Sequence, residues 1–270
     1  MTTPKISLRE VTKTFPGRGG DAPFTALDGV TLDVAPGEFL ALVGPSGCGK
    51  SSLLDLVAGL STVSGGEVLL DGRPVTGPGL DRGVVFQQYA LFPWRTALAN
   101  VEFTLEAAGL GRRERTRVAR EALALVGLTG FEQRYPHELS GGMKQRVAIA
   151  RSLAYEPEVL LMDEPYAALD AQTRESLQDE LLRIWRRTGT TIVFITHGID
   201  EAVYLGQRVA VMTSRPGRIK DVVRIDLERP EDPDSDLRSE PGFTRYRRQI
   251  WELLHSEVRR AGELEEAGAR

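Results

Sequence analysis

Apolar and polar residues alternate over residues 6–15 and 27–34, the period of half-buried strands. The pattern then changes. Residues 39–43, 159–162 and 191–196 are unbroken apolar runs, the form taken by parallel strands covered on both faces. Gly65-Gly66 precedes a short strand at 67–70, Asp71-Gly72 is a hairpin signal, and another strand is expected at 83–87. Residues 52–60 have helical spacing, and residues 98–154 are mostly helical. Residues 16–20 and 21–23 read as turns. A stretch rich in Pro and charge begins at Asp226 and runs to Phe243. From Tyr246 onward, Ile250, Leu253, Leu254 and Val258 again have helical spacing.

Together these elements predict an α/β fold with a doubly wound core formed by residues 39–87 and 159–214. A helical subdomain at about 89–157 interrupts that core, and an antiparallel N-terminal sheet packs alongside. Residues 1–225 are expected to form one domain, and 226–270 a tail with a terminal helix docked on the body. The arginine-rich segment 111–120 reads as the solvated face of a surface helix.

Composition narrows the class. With 270 residues, 41% hydrophobic and 27% charged, the chain can bury a sizeable core. A net charge of −4 does not suit a nucleic-acid binder, which usually carries a basic domain or stripe. The single cysteine, Cys48, excludes an internal disulfide and suits a reducing compartment. The opening MTTPKISLRE lacks the basic-then-apolar form of a signal peptide, and no apolar run approaches the roughly 20 residues that span a bilayer. A cytoplasmic protein is expected, unless a partner holds it elsewhere.

The chemistry begins at LVGPSGCGKSSLL, residues 42–54. Gly44, Gly49, Lys50 and Ser51 fit G-x-x-x-x-G-K-[ST] between an apolar strand and a helix, the context the motif requires. Such a loop, here Gly44, Pro45, Ser46, Gly47, Cys48, Gly49, Lys50, Ser51 and Ser52, turns successive N–H groups toward phosphate oxygens at the positive end of a helix dipole. Lys50 would reach the β- and γ-phosphates and Ser51 would hold Mg²⁺. The pattern implies a bound nucleoside triphosphate. Cys48 reads as a small filler whose place beside a helix N-terminus is expected to lower its pKa, and its alkylation is expected to block nucleotide binding.

A phosphate loop alone leaves kinases, GTPases and motor ATPases open. Residues 159–164 form a buried strand ending in two carboxylates: Asp163 is placed to hold Mg²⁺ and Glu164 to activate the attacking water. Ser140 looks like a helix cap, and Gly141 and Gly142 expose N–H groups at a second helix N-terminus. Two anion sites in one chain are simplest to explain as two chains facing head to tail, each completing the other's site.

With these residues in view, the chain resembles the ATP-binding subunit of an ABC transporter. Beside the phosphate loop it has Gln87 in VVFQQY, LSGGM at 139–143, LLMDEP at 160–165, Ala168-Leu169-Asp170, and His197 after TIVFIT, in family order. The resemblance covers residues 6 to about 225. It implies a P-loop NTPase (RecA-like) core with the two subdomains described above, and ATP and Mg²⁺ as ligands. It implies that Gln87 touches Mg²⁺ and the attacking water, and that Asp170 belongs to the D-loop. It further implies that His197 bonds the γ-phosphate and that an aromatic stacks on adenine. Phe15 is the candidate for that aromatic, with Phe24 second. His137 reads as structural and His255 as a surface residue.

The chain departs from the family in Met143, where the signature usually has Gln, and in AALD for SALD. Ser-Gly-Gly is intact, so hydrolysis is expected to survive. Met143, the loop LFPWRT (91–96) and SRPGRI (214–219) resemble importers of nitrate, sulfonates, taurine and similar small anions. The implied assembly is a homodimer of these ATPase subunits on two membrane-spanning permease subunits, with a periplasmic or lipid-anchored solute-binding protein and no nucleic acid. It would lie peripherally on the cytoplasmic face of the inner membrane. The apolar loop 89–94 would dock the permease. Three rivals are a soluble ABC ATPase acting on nucleic acid or ribosomes, an exporter ATPase, and a small-molecule kinase. The first lacks the tandem cassettes or long insertions expected of it, and the last leaves LSGGM and His197 unexplained.

Overall fold

Strand β1 (Ile6–Phe15) pairs antiparallel with β2 (Phe24–Val34), Ile6 opposite Val34 and Phe15 opposite Phe24. The ladder thus begins three residues before the alternation becomes legible, because Thr25 and Phe24 continue it opposite Thr14 and Phe15. The computed structural model describes residues 3–17, 22–228 and 237–268, so residues 18–21 of the turn expected at 16–23 and residues 229–236 of the Pro-rich stretch lie outside the described residues. The chain divides into two units, residues 1–78 with 193–270, and residues 79–192.

In the first unit, β1 also pairs with β4 (Gly65–Leu70), which turns into β5 (Arg73–Pro74). Asp71 and Gly72 at that turn both have positive φ, 49° and 73°, which matches the twist of the flanking strands. The four-stranded antiparallel sheet runs β2-β1-β4-β5. The same unit holds β3 (Phe39–Val43), entirely buried, leading into α1 (Lys50–Ala58). β3 lies parallel to β9 (Arg208–Met212), with Val43 opposite Val211. β9 in turn pairs antiparallel with β10 (Ile219–Arg224). Ala41, Val43, Val209 and Val211 of these strands share a core with Ala202 and Val203 of α6 (Ile199–Leu205) and with Phe243, Tyr246 and Ile250 of α7 (Pro241–Gly268). The tail helix is therefore part of this core. It starts five residues before Tyr246 because Pro241 presets helical φ and Phe243 is already buried.

In the second unit, β6 (Arg82–Val85) lies parallel to β7 (Val159–Asp163), Val85 opposite Met162. Between them in sequence, α2 (Ala97–Ala107), α3 (Arg112–Leu125) and α4 (Gly141–Leu153) pack on one another, and α5 (Ala171–Thr188) follows β7. Arg117 on α3 pairs with Glu114 and Glu121 on the helix's own solvated face, as expected of the arginine-rich segment. β8 (Thr191–Ile195), fully buried, begins in this unit and ends in the first. Parallel strands carrying a phosphate loop, an antiparallel sheet and a helical subdomain make this an α/β P-loop NTPase fold. No helix among the described residues is long and apolar enough to cross a membrane.

Candidate functional site

The phosphate loop, residues 44–52, leaves β3 and enters α1 at Lys50. Gly49 caps the helix at φ 102°, a conformation costly to any L side chain, and a Cβ there would stand 2.7 Å from Leu27 Cδ2. Lys50 is the first helical residue and Ser51 the second, so both sit where the helix's unpaired N–H groups emerge. The Lys50 side chain is 4% exposed, and its ammonium donates to the carbonyls of Gly44 (2.9 Å) and Pro45 (3.1 Å). Ser46 and Ser51 are exposed. Cys48 is buried at 1%, and burial pushes its thiol pKa up despite the neighbouring Lys50 charge. The expectation of a lowered pKa is thus corrected. The helix terminus acts on this thiol, but desolvation outweighs it.

Phe15 and Phe24, the two candidate adenine platforms, are cross-strand partners in the same unit, each about two-fifths exposed. Lys13 lies 5.0 Å from the centre of the Phe15 ring and the Arg215 guanidinium 5.1 Å from that of Phe24. His197, two residues beyond β8, is exposed. The preceding Thr196 accepts the Gly198 N–H at 2.9 Å and donates to Glu201, which holds the turn that presents His197.

In the second unit, Asp163 ends β7, and its Oδ1 is buried without a hydrogen-bond partner. Glu164 follows at φ 45°, an unfavourable conformation for a non-glycine residue. Gln87 is exposed two residues after β6. The segment after it is pinned by Arg151 of α4, which donates to Ala90 O (2.6 Å) and Tyr89 O (3.1 Å). Ser140 caps α4, its hydroxyl accepting the Met143 N–H at 3.3 Å. The contact uses Met143's backbone, so the unusual side chain leaves it intact. Gly141 and Gly142 have a packing reason to be glycine. A Cβ at Gly141 would stand 3.2 Å from both Leu169 and the Tyr89 hydroxyl, and one at Gly142 2.6 Å from Thr173 Cγ2. Asp170 caps α5 by accepting the Thr173 N–H at 2.9 Å, and this bond holds its carboxyl below the usual range. The Ser-Gly-Gly turn thus packs on the very turn that ends in Asp170.

Sequence reasoning passed over Arg151 and Asn100, which shape these loops. Asn100, fully buried, ties residues 92–96 together: its Oδ1 accepts the Phe92 N–H at 2.8 Å and its Nδ2 donates to the carbonyls of Phe92, Arg95 and Thr96. Trp94, in that loop, is 69% exposed. His137 stacks on Tyr135, and His255 stacks on Trp251 at the surface of α7.

Comparison with known proteins agrees with this geometry. Residues 27–167 match the family model described as ABC transporter. An uncharacterised ABC transporter ATP-binding protein of Methanocaldococcus jannaschii is 55% identical over 94% of this chain and 92% of its own length. The nitrate import ATP-binding protein of Synechocystis is 48% identical over 92% of this chain and 94% of its own. The taurine import ATP-binding protein of Pseudomonas syringae pv. tomato is also 48% identical, over 96% and 98%. A solved dimeric ATP-binding cassette, in a post-hydrolysis state bound to ADP and Pi, superposes with a TM-score of 0.72 at 35% identity, over 83% of this chain and all of that one. The chain belongs to the ABC transporter family and is one of its ATP-binding, ATP-hydrolysing subunits.

Proposed function

We propose that the chain powers an importer of a small anion of the nitrate, sulfonate or taurine type. In this reading two copies sandwich two ATP–Mg²⁺ at composite sites, the phosphate loop of one facing the Ser140-Gly141-Gly142 turn of the other. The observation that carries the composite site is the second anion-ready helix N-terminus: α4, capped by Ser140 and opened by two glycines. The nitrate and taurine importer relatives support the solute class.

The residues divide the chemistry. Lys50 and the loop N–H groups hold the β- and γ-phosphates, with Phe15 beneath the base. Glu164 takes the proton of the attacking water, and His197 orients that water against the γ-phosphate. The donors fit a hard cation, which prefers oxygen: the Ser51 hydroxyl, the Gln87 amide and above all the orphaned, buried Asp163 Oδ1. Mg²⁺ held by these oxygens would supply positive charge against the charge that develops on the phosphates. Asp170 couples the two sites from the turn packed on the signature. Residues 1–225 constitute the ATPase domain in this account and 226–270 its tail. Two membrane permease subunits receive the apolar loop that ends in Trp94, on the cytoplasmic face of the membrane, and a solute-binding protein delivers the anion.

Purification of the chain from its own cells in mild detergent tests the reading. A multi-span membrane protein in equal amount, with a soluble receptor carrying a small anion, is the expected result. Ribosomes, nucleic acid or nothing in its place would remove the transport role.

A further inference from the structure

The SRPGRI turn, residues 214–219, lies against the phosphate loop. Arg215 Nε donates to the Gly47 carbonyl at 2.8 Å, and the same guanidinium sits over Phe24. A Cβ at Gly47 would run into Arg215, and one at Gly217 would run into the Cys48 carbonyl, so the turn covers the loop over two successive peptides. The turn is fixed to β2: Gly217 N donates to Ala26 O (2.9 Å), Asp28 N donates to Gly217 O (3.1 Å), and Arg218 pairs with Asp28.

Its other end is held by the tail helix. Glu257 of α7, 5% exposed, accepts the Ser214 N–H at 3.0 Å and pairs with Lys220 of β10 at 2.7 Å. Lys220 also donates to Leu253 O at 3.0 Å. Burial would raise the Glu257 carboxyl, but the bonds from Lys220 and Ser214 prevail and keep it below the usual carboxylate range. A continuous path therefore runs α7–Glu257–Ser214–Arg215–Gly47.

We infer that Arg215 is a positioning residue for the phosphate loop and that helix α7, through Glu257, sets how well the loop binds nucleotide. The reason is the planarity of the peptide. C=O and N–H of one trans unit point in opposite directions, so holding Gly47 O toward Arg215 turns the Cys48 N–H to the loop's interior. There it makes a long 3.3 Å bond to Pro45 O, weak enough to be exchanged for a phosphate oxygen. Without the brace the Gly47 peptide turns more easily, because Gly47, at φ 70°, has no Cβ to restrict its own ψ. Binding must then order it, at a cost to affinity.

The inference rests on the phosphate-loop reading above, and one experiment separates the two. The Kd for Mg-ADP is measured by calorimetry on the full chain and on Lys50→Ala, Arg215→Ala, Glu257→Ala, Glu257→Gln, the Arg215→Ala/Glu257→Ala double variant, and Arg248→Ala as a control elsewhere on α7. Arg215→Ala and Glu257→Ala should each raise Kd by about 3- to 10-fold, the range one hydrogen bond supplies. The double variant should exceed the larger single effect by less than about twofold, since both act through one turn. Glu257→Gln keeps an acceptor for the Ser214 N–H, so it should recover part of the loss, and it stands in if the alanine variant fails to fold. Arg248→Ala should not change Kd. If Lys50→Ala binds normally, the phosphate-loop reading falls. If Lys50→Ala fails to bind while the Arg215 and Glu257 variants stay within about twofold of the parent, or add independently, the brace is refuted.

Discussion

Lys50 closes the phosphate loop on itself, its buried ammonium bonded to the carbonyls of Gly44 at 2.9 Å and Pro45 at 3.1 Å. Neutral carbonyls satisfy its hydrogen bonds but not its charge, a setting that a bound anion would complete. Lys50→Ala should raise the Kd for Mg-ADP at least ~30-fold, the loss expected when one partner of a buried charged pair is removed. A change under threefold would show that phosphate binds elsewhere.

Gly142, the second residue of α4, lies against α5, where a Cβ would stand 2.6 Å from Thr173 Cγ2. Gly142→Ala must therefore displace the signature turn from the Asp170 cap. Overpacking of this kind costs about 1–3 kcal/mol. Urea unfolding should show that loss and ATP turnover should fall, while Mg-ADP affinity of the isolated chain stays at the parent value because the phosphate loop is untouched.

The Cys48 thiol is buried and its pKa lies above the ordinary 9.0. Its neutral form is the one the fold favours, so its contribution to stability is complete below pH 9 and is lost as pH rises through the higher folded value. Iodoacetamide at pH 7.5 should label the folded chain at less than about a tenth of its rate in urea, since only the accessible thiolate reacts. Chain that does become labelled should no longer bind nucleotide. Equal labelling rates would show that the thiol is open to solvent.

Asn100 satisfies an N–H and several carbonyls in residues 92–96 from a fully buried position. Asn100→Ala leaves those groups unpaired, at about 1–3 kcal/mol. It should lower the urea midpoint and speed proteolysis next to the exposed Trp94. Unchanged values would mean the loop holds its shape without the side chain.

Local chemistry made much of this legible in the sequence. The buried strands β3, β7 and β8 are short apolar runs whose bounds agree with the structure to within a residue, and the phosphate loop and signature are contiguous motifs. What escaped depends on distance along the chain. Arg215 and Gly47 are 168 residues apart, and Glu257 and Ser214 are 43 apart, so no window of sequence shows that they meet. Asn100 lies in a helical stretch, and nothing local marks it as the buried residue that ties residues 92–96 together. Cys48 was misjudged for the same reason: the helix terminus is a local feature, whereas the burial that overrides it is supplied by the fold.

In the proposed assembly a second copy of the chain completes each site, and Glu164→Gln tests this most directly. Removing the base should slow turnover by about 10²–10⁴ while leaving ATP bound. Light scattering of the variant with Mg-ATP should then report twice the monomer mass, falling back to the monomer when Mg-ADP replaces it. A variant that stays monomeric in saturating Mg-ATP, or that hydrolyses ATP at the parent rate, would contradict the account.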